Sequence, residues 1–290
     1  MRQIQLRAYG KINLGLDVVR KREDGYHELR MLMQTVRLYD GLKMKIIPED
    51  EIRLTTNLSF LPVNENNLIY RAIALIKEEY HITQGVEAVL DKRIPVAAGM
   101  AGGSSNAAAA LIGMNRLFRL KISKKKLMEY GLRLGADVPY CIMRGTALAE
   151  GIGEVLTPLP PMPSCYILLA KPGISVSTKY VYQNLKVDEL TSHPDIDGIV
   201  AAIKRDDLHG ICNRLENVLE TVTIKDHPMI EEIKQFMRDQ GALNALMSGS
   251  GPTIFGIFEK RETARKALEN MRQFDYIKQA YVVEPYNNRR

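Results

Sequence analysis

Residues 95–110 read Pro-Val-Ala-Ala-Gly-Met-Ala-Gly-Gly-Ser-Ser-Asn-Ala-Ala-Ala-Ala. The three glycines in this stretch allow positive φ angles and let a ligand come close to the backbone. Alanine is the strongest helix former, so the stretch predicts a loop that leads into a helix over residues 106–118, with Ser104 or Ser105 as its N-cap. Because a helix N-terminus offers free N–H groups and the positive end of a dipole, the sequence predicts a phosphate site here.

The sequence before this stretch and the sequence after it each contain their own predicted strands and helices. Before it, we predict a turn at the Asp-Gly pair of residues 22–25, strands at 12–18, 29–38, 44–47, 52–55 and 86–90, and a helix at 67–80. After it, we predict strands at 166–170, 243–247, 253–258 and 276–283 and helices at 124–134, 177–184, 196–204, 228–240 and 262–273. This segregation favours an α+β fold over a doubly wound sheet.

Four prolines between residues 157 and 163 mark the predicted domain boundary. Such a stretch interrupts both helices and sheets. We therefore predict an N-terminal domain at residues 1–157 and a C-terminal domain at residues 158–290.

The composition is that of a globular cytoplasmic protein. The chain has 290 residues, of which 46% are hydrophobic, and no apolar run approaches the roughly 18 residues of a membrane span. The N-terminus has no apolar block of the kind that a secretory signal needs. The cysteines, Cys141, Cys165 and Cys212, are far apart and are predicted to be reduced thiols. The histidine spacing argues against a structural metal.

The net charge of +6 leaves two interpretations. Basic stretches such as Lys124-Lys125-Lys126 and Arg289-Arg290 could bind nucleic acid. They are not accompanied by an aromatic stacking motif, so a solvated helix face and a basic tail are favoured. A modest positive excess also suits an enzyme that handles polyphosphates.

The common nucleotide-binding motifs are absent from the sequence. It contains no G-x-x-x-x-G-K-[ST] and no G-x-G-x-x-G after a strand, which excludes the P-loop and the Rossmann fingerprint. It contains neither His-Arg-Asp nor Asp-Phe-Gly, which excludes a protein kinase.

The glycine-rich loop resembles that of the superfamily of galactokinase, homoserine kinase, mevalonate kinase and phosphomevalonate kinase, the GHMP kinases. Their loop has the form Pro-x-x-x-Gly-Leu-Gly-Ser-Ser-Ala, and this chain differs by one inserted residue and by methionine in place of leucine. Four further motifs stand in order, at residues 9–14, 24–29, 135–140 and 248–253. Together they resemble the 4-diphosphocytidyl-2-C-methyl-D-erythritol kinase family over nearly the whole chain. Tyr9-Gly10 stands where Pro-Ala is usual, and Met100-Ala101 replaces a more glycine-rich stretch.

The resemblance implies a two-domain GHMP kinase fold, with an N-terminal ATP-loop domain and a C-terminal ferredoxin-like domain. The implied reaction is ATP-dependent phosphorylation of the 2-hydroxyl of 4-diphosphocytidyl-2-C-methyl-D-erythritol in the non-mevalonate isoprenoid route. ATP is the expected co-substrate, and Mg²⁺ is expected because phosphate charge must be neutralised. The expected partner is this small cytidine diphosphate-linked molecule rather than nucleic acid or a membrane, and the expected state is a monomer or weak homodimer.

Two catalytic residues are expected. Lys11 and Asn13 are two apart on a strand and face the same side, so together they could hold a hydroxyl and a phosphate; the alternative is a solvent-facing lysine and a strand-end asparagine. Asp137 follows a helix that Gly135 should end, and it could accept a proton or simply form an Asx-turn or cap. By resemblance, Asp137 is the base for the 2-hydroxyl, and Lys11 holds that carboxylate and stabilises developing charge.

The remaining site residues come from the resemblance. Tyr26 would stack on the cytosine and His27 would read its edge, although this pair could also be a packed hairpin end. Tyr182 would be the second stacking aromatic, with Tyr180 as a competing choice. The expected ATP-binding residues are Asn67 and Leu68 at the adenine, and Pro95, Val96, Ala97, Ala98, Gly99, Met100, Ala101, Gly102, Gly103, Ser104 and Ser105 at the phosphates. The expected substrate-binding residues are Asn13, Tyr26, His27, Tyr182, Gly249, Ser250 and Gly251, the last three in a turn that could also be a plain hairpin bend.

Two other functions compete with this one. A different kinase of the superfamily would act on homoserine or mevalonate, which have no base for Tyr26 and His27 to bind. A non-enzyme would bind nucleic acid or nucleotide without turnover, but the presence of Lys11, Asp137 and the whole loop argues against it.

Overall fold

The computed structural model describes residues 3–287. Its strands are β1 (Gln3–Lys21), β2 (His27–Ile47), β3 (Ile52–Thr56), β4 (Gly85–Asp91), β5 (Thr146–Gly151), β6 (Val155–Pro158), β7 (Tyr166–Pro172), β8 (Glu216–Asn217), β9 (Asn244–Met247), β10 (Ile254–Phe258) and β11 (Ile277–Val283). Its α-helices are α1 (Leu68–Glu79), α2 (Gly102–Leu117), α3 (Lys124–Leu132), α4 (Val138–Met143), α5 (Thr178–Asn184), α6 (Ile196–Lys204), α7 (Leu208–Cys212), α8 (Glu220–Asp226), α9 (Met229–Asp239) and α10 (Arg261–Met271). A short 3₁₀ helix covers Val187–Glu189.

The chain divides into two compact units. The first comprises residues 3–10, 38–96 and 101–143, and the second comprises residues 11–37, 97–100 and 144–287. Strands β1 and β2 each contribute residues to both units. The predicted domain boundary after residue 157 does not coincide with this division and stays a prediction.

In the first unit, helices cover a small mixed sheet. Strand β4 pairs antiparallel with residues 41–47 of β2 and parallel with β3. Helix α2 contacts α1, α3 and α4 and is buried along most of its length, which its alanines permit because they allow close approach. A Cβ at Gly113 of α2 would collide with Met44 of β2, so this helix lies directly on the sheet.

In the second unit, the C-terminal part has the predicted ferredoxin-like arrangement. Its four-stranded sheet has the order β11-β7-β10-β9, and every pair is antiparallel. Helix α9 packs on β9 and β10, and α10 packs on β7, β10 and β11. Along the chain, β7, α9, β9, β10, α10 and β11 form the β-α-β-β-α-β pattern of that fold.

The remaining strands of the second unit pair with the hairpin of β1 and β2, directly or through another strand. Residues 29–34 of β2 pair antiparallel with β5, which in turn pairs with β6. Residues 15 and 16 of β1 pair parallel with β8. The hairpin turn is closed by the Arg22 N–H, which donates to the Tyr26 carbonyl at 2.8 Å, and Gly25 has the positive φ of +84° that the Asp-Gly pair predicts.

Several element predictions need correction. The separate strands predicted at 29–38 and 44–47 form the single strand β2. The proline-rich stretch does not end the sheet at residue 157, because β6 reaches Pro158 and pairs there with Ala147 of β5. Helix α4 was not predicted because all of its residues are buried and leave no amphipathic pattern.

One of the two basic stretches lies on the surface of α3, and the other lies outside the described residues. Lys124, Lys125 and Lys126 are exposed in the first turn of α3, which Ser123 caps as predicted. Arg289-Arg290 lies outside the described residues. None of the helices within residues 3–287 has the length and apolar character that crossing a bilayer requires.

Candidate active site

The loop of residues 95–101, here called the phosphate loop, has an unusual backbone. Ala97, Gly99 and Ala101 have φ angles of +50°, +71° and +53°, whereas Ala98 and Met100 do not have positive φ. Backbone that alternates between right- and left-handed helical conformations can turn successive N–H groups to one side and bind an anion, and the alternating sign of φ here fits such a loop. A left-handed conformation costs a non-glycine residue about 1–3 kcal/mol, and such strain is concentrated at functional sites.

The helix after the loop begins earlier than predicted. Helix α2 starts at Gly102 rather than at Asn106, and its N-cap residue is Ala101, which supplies no side-chain hydrogen bond. Ser104 and Ser105 are therefore not N-caps but part of the first turn. Since no side chain caps this helix, its first N–H groups remain available to an anion.

Lys11 joins the phosphate loop to β1 within the second unit. Its side chain is only 5% exposed, which excludes the alternative of a solvent-facing lysine. The ammonium donates to Asn13 Oδ1 at 2.7 Å and to the Gly99 carbonyl at 3.1 Å, and the Lys11 N–H donates to the Met100 carbonyl at 3.1 Å. The prediction that Lys11 and Asn13 share a face of β1 is confirmed.

The second glycine turn, at residues 248–251, packs against the same part of the loop. The Ser248 hydroxyl donates to the Gly99 carbonyl at 3.0 Å, and a Cβ at Gly99 would collide with the Ser248 carbonyl oxygen. A Cβ at Gly249 would lie 3.3 Å from the Gly99 carbonyl oxygen and 3.6 Å from Asn13 Oδ1. Glycine at both positions therefore allows Lys11, Asn13, the loop and the turn to meet.

Polar side chains hold this turn in place. Asn217 Nδ2 donates to the carbonyls of Met247 and Gly249 at 2.9 and 2.8 Å. The hydroxyls of Ser250 and Thr178 lie 2.8 Å apart. The turn is thus more than the plain hairpin bend considered above.

The structure brings together two of the three aromatic side chains expected at the cytosine. The rings of His27 and Tyr182 are 5.2 Å apart between centroids and are inclined by 36°. Tyr26, in the neighbouring turn, is 60% exposed. Tyr180 is half exposed and interacts with Asp226, which raises the pKa of its hydroxyl. These contacts favour Tyr182 over Tyr180 as the partner of His27.

Burial, and after it the positive charge of Lys21, holds the pKa of His27 below its ordinary value. The imidazole is therefore neutral at neutral pH, with one nitrogen that donates and one that accepts. A neutral ring of this kind can hydrogen-bond the edge of an uncharged base.

In the first unit, Asp137 directly precedes α4 and is half-buried. Its backbone carbonyl accepts from the Cys141 N–H at 3.1 Å, which is a helical contact. Within residues 3–287 its carboxylate has no hydrogen-bond or ion-pair partner. The expected contact between this carboxylate and Lys11 stays a prediction.

Three other expected ATP residues of the first unit have structural contacts. Asn67 caps α1 by accepting from the Ile69 N–H at 2.9 Å and also donates to the Pro62 carbonyl at 2.8 Å. Leu68 Cδ1 lies 3.5 Å from the position that a Cβ would take at Gly103 in the first turn of α2. The Ser105 hydroxyl donates to the Tyr9 carbonyl at 2.6 Å, so this side chain anchors the helix to β1.

Comparison with known proteins gives consistent matches. The model of the GHMP kinases N terminal domain matches residues 67–145, and that of the GHMP kinases C terminal region matches residues 199–277. A protein of Lachnoclostridium phytofermentans named 4-diphosphocytidyl-2-C-methyl-D-erythritol kinase is 55% identical over 99% of this chain and 98% of its own. One of the same name from Lachnospira eligens is 57% identical over 99% of both chains. This chain belongs to the 4-diphosphocytidyl-2-C-methyl-D-erythritol kinase family.

A solved structure of this kinase family has the same fold. The crystal structure of 4-(cytidine 5'-diphospho)-2C-methyl-D-erythritol kinase matches with a TM-score of 0.84 and 32% identity, over 98% of this chain and 100% of that chain. The two-domain GHMP kinase fold that the motifs predicted is thereby confirmed.

Some residues that shape this part of the second unit were not predicted from the sequence. Ser248 lies inside a quoted motif but was not assigned a role, although its hydroxyl fixes the Gly99 carbonyl. Asn217 lies outside every motif, and Thr178 lies in the short stretch that contains Tyr182. Nothing in the sequence indicates that either side chain holds the turn at 248–251.

Proposed function

We propose that this chain is an ATP-dependent kinase that transfers the γ-phosphoryl group of ATP to the 2-hydroxyl of 4-diphosphocytidyl-2-C-methyl-D-erythritol, in the non-mevalonate route to isoprenoid precursors. The observation that carries this proposal is the identity of 55% over almost the full length to a protein of that name. The strained phosphate loop and its contact with Lys11 support a phosphoryl-transfer site.

We propose that the phosphate loop and the first turn of α2 bind the phosphates of ATP. The uncapped N–H groups of Gly102 and Gly103 and the helix dipole favour negative charge at this position. The buried ammonium of Lys11 supplies a full positive charge beside the loop. Since charge is spread over the phosphoryl oxygens in the transition state, fixed donors of this kind lower the barrier.

We propose that Asp137 receives the proton of the 2-hydroxyl as the oxygen attacks the γ-phosphorus. This residue directly precedes α4 and is half-buried, which leaves it partly accessible to a bound hydroxyl that could donate to its carboxylate. Phosphoryl transfer has a loose transition state, so correct placement of the hydroxyl contributes as much as proton removal.

We propose that the cytosine of the acceptor binds at His27 and Tyr182, with Tyr26 closing over the ring. The neutral imidazole would hydrogen-bond the base edge, and aromatic faces gain about 1–3 kcal/mol for each base that they stack on. The turn of Gly249, Ser250 and Gly251 would lie against the part of the acceptor nearer the reacting hydroxyl.

Mg²⁺ is proposed to accompany ATP and to neutralise charge on its phosphates. Residues 3–287 contain no group of three or more His, Cys, Asp or Glu side chains placed to hold an ion. Mg²⁺ usually takes one or two protein ligands and fills its other positions with phosphate oxygens and water. We therefore propose that the ion enters with the nucleotide, and we assign no protein ligand to it.

A cytoplasmic location is proposed as well. Within residues 3–287 the three cysteines are buried and form no disulfide, as is usual in a reducing compartment. Burial raises the pKa of Cys212 to about 12, which makes this thiol unreactive. That the protein is a monomer or weak homodimer and binds no nucleic acid stays a prediction.

A transfer assay across three acceptors tests the proposed function. The purified chain, Mg²⁺ and γ-labelled ATP are incubated with 4-diphosphocytidyl-2-C-methyl-D-erythritol, homoserine or mevalonate, and the labelled product is measured. We expect label only in the cytidine-linked acceptor. Label in homoserine or mevalonate alone would identify another kinase of the superfamily, and salt-dependent DNA binding without ATP turnover would identify a non-enzyme.

A further inference from the structure

A buried carboxylate in the first unit has no part in the mechanism above. Asp40 lies in β2 with its side chain fully inaccessible to solvent. One oxygen accepts from the N–H groups of Arg93 and Ile94, both at 2.7 Å. The other accepts from Lys92 Nζ at 2.7 Å and from Asn106 Nδ2 at 2.8 Å. Both oxygens are thus satisfied, and all four partners are donors.

These partners lie on both sides of the predicted phosphate-binding residues. Ile94 immediately precedes Pro95, where the phosphate loop begins, and Asn106 immediately follows Ser105 in α2. One carboxylate therefore links the chain that enters the loop to the helix that leaves it. The two attachments are 12 residues apart in sequence and meet at a single side chain.

Lys92 strengthens this link at the helix start. Its ammonium also donates to the Ile94 carbonyl at 2.7 Å, and a Cβ at Gly102 would lie 2.8 Å from it. The cation is therefore packed beneath the first residue of α2, at the end of the dipole that disfavours positive charge. The negative charge of Asp40 offsets the repulsion between the Lys92 ammonium and the helix dipole. Burial lowers the pKa of Lys92.

We propose that Asp40 is a positioning residue for ATP, which fixes both ends of the phosphate loop so that its N–H groups are held ready for the phosphates. This inference rests on the proposed kinase function. A loop that is ordered before binding loses less conformational entropy when the nucleotide binds. Loss of the link should therefore weaken ATP binding far more than it affects the acceptor.

The test uses Asp40→Asn and Asn106→Ala in the full-length protein. An amide at residue 40 has the same shape but can accept on one side only, so two donors would face its NH₂ group. Asn106→Ala removes one of the four hydrogen bonds and keeps the ion pair, so it covers the case in which Asp40→Asn does not fold. The control is Ile233→Ala, a buried change in α9 that creates a cavity within the second unit, to which neither Asp40 nor any of its partners belongs.

Steady-state KM for ATP and for the acceptor, kcat, and the Kd of a nonhydrolysable ATP analogue are measured on folded fractions. We expect the ATP KM and the analogue Kd to rise at least tenfold in Asp40→Asn and about three- to tenfold in Asn106→Ala, with the acceptor KM changed less than twofold. Ile233→Ala should lower Tm and leave both KM values unchanged.

Three results separate the possibilities. Variants with a lowered Tm but an unchanged ATP KM would overturn the proposal, because Asp40 would then only stabilise the fold. An ATP KM that falls in Asp40→Asn would also overturn it, since Asp40 would then merely neutralise Lys92. If the wild-type chain phosphorylates none of the acceptors but the analogue Kd still rises in the variants, the kinase function fails while the positioning role stands.

Discussion

At the scale of single residues, the proposed base is the group whose removal has the clearest consequence. Asp137 is half-buried and its carboxylate has no partner within the described residues. Asp137→Asn keeps the shape of the side chain but cannot accept a proton, so we expect kcat to fall by about 10²–10⁴-fold. A nonhydrolysable ATP analogue should bind within about twofold of the wild-type Kd by titration calorimetry. Turnover near the wild-type rate in this variant would refute the role of Asp137.

A second residue-scale prediction concerns pH. The pKa of His27 is lowered by burial and by Lys21, so the ring becomes protonated only below its ordinary value of about 6.5. At saturating ATP, the acceptor KM should be constant above that pH and rise as pH falls through the folded-state pKa, because His27 then loses its acceptor nitrogen.

The matched variant for this prediction is His27→Gln, which has no charge change in this range. Its acceptor KM should be higher at neutral pH but flat with pH. The pKa of His27 is lower in the folded chain than in the unfolded chain. Between these two values the unfolded chain binds more protons, so the wild-type free energy of unfolding should also fall relative to that of His27→Gln as the solution is acidified. Parallel pH profiles of KM in the two proteins would contradict the assignment.

At the scale of elements, the glycine-rich turns should be the least tolerant of added side chains. A Cβ at Gly99 meets the backbone carbonyl of Ser248, which cannot move aside as a flexible side chain could, and φ is +71°. We expect Gly99→Ala to lower the free energy of unfolding by about 2–4 kcal/mol and to raise the ATP KM.

Gly25→Ala is the control for this prediction. Gly25 also has a positive φ, of +84°, but no atom lies within 4 Å of its would-be Cβ. Gly25→Ala should lower the free energy of unfolding, measured with urea, only by the cost of the left-handed backbone, about 1–2 kcal/mol. Equal costs for the two variants would show that the packing of the loop against the turn does not contribute.

The same elements show what the sequence could and could not predict. Residue types alone indicated the loop, the helix after it and the shared face of Lys11 and Asn13, because these depend on local backbone preferences. The predicted start of α2 at residue 106 was wrong. The helix begins after Ala101, whose left-handed backbone is unfavourable for alanine by itself and requires the surrounding fold.

Long-range contacts explain the other differences. The predicted strands at 29–38 and 44–47 left residues 39–43 unassigned, but Asp40 in that gap accepts from donors more than 50 positions away along the chain. Likewise, the contact between Ser248 and Gly99 joins residues 149 positions apart. Hydrophobic periodicity and secondary-structure propensity carry no information on contacts between residues so far apart in the chain.

At the scale of the whole molecule, the two compact units should respond differently to the two substrates. The residues proposed to bind the cytosine and the adjoining part of the acceptor, from Asn13 to the turn at 249–251, belong to the second unit, whereas Asp137, the proposed base, belongs to the first. The residues proposed for ATP are distributed over both units, with Asn67, Leu68 and the start of α2 in the first and residues 97–100 in the second. Because a bound ligand suppresses local opening in the segments that it contacts, hydrogen exchange can distinguish them.

We therefore expect a nonhydrolysable ATP analogue to slow exchange in peptides that cover residues 67–70 and 97–106. Cytidine diphosphate, added after the nucleotide site is saturated with that analogue, should slow exchange further at residues 22–28, 180–184 and 247–251. It should leave β3 and α1 unchanged, since neither contains a residue proposed for the acceptor. A Tyr182→Ala variant is the control, because weaker stacking should reduce the effect of cytidine diphosphate without changing that of the ATP analogue. Protection by cytidine diphosphate confined to the first unit would place the base elsewhere and remove the basis for assigning acceptor specificity to His27 and Tyr182.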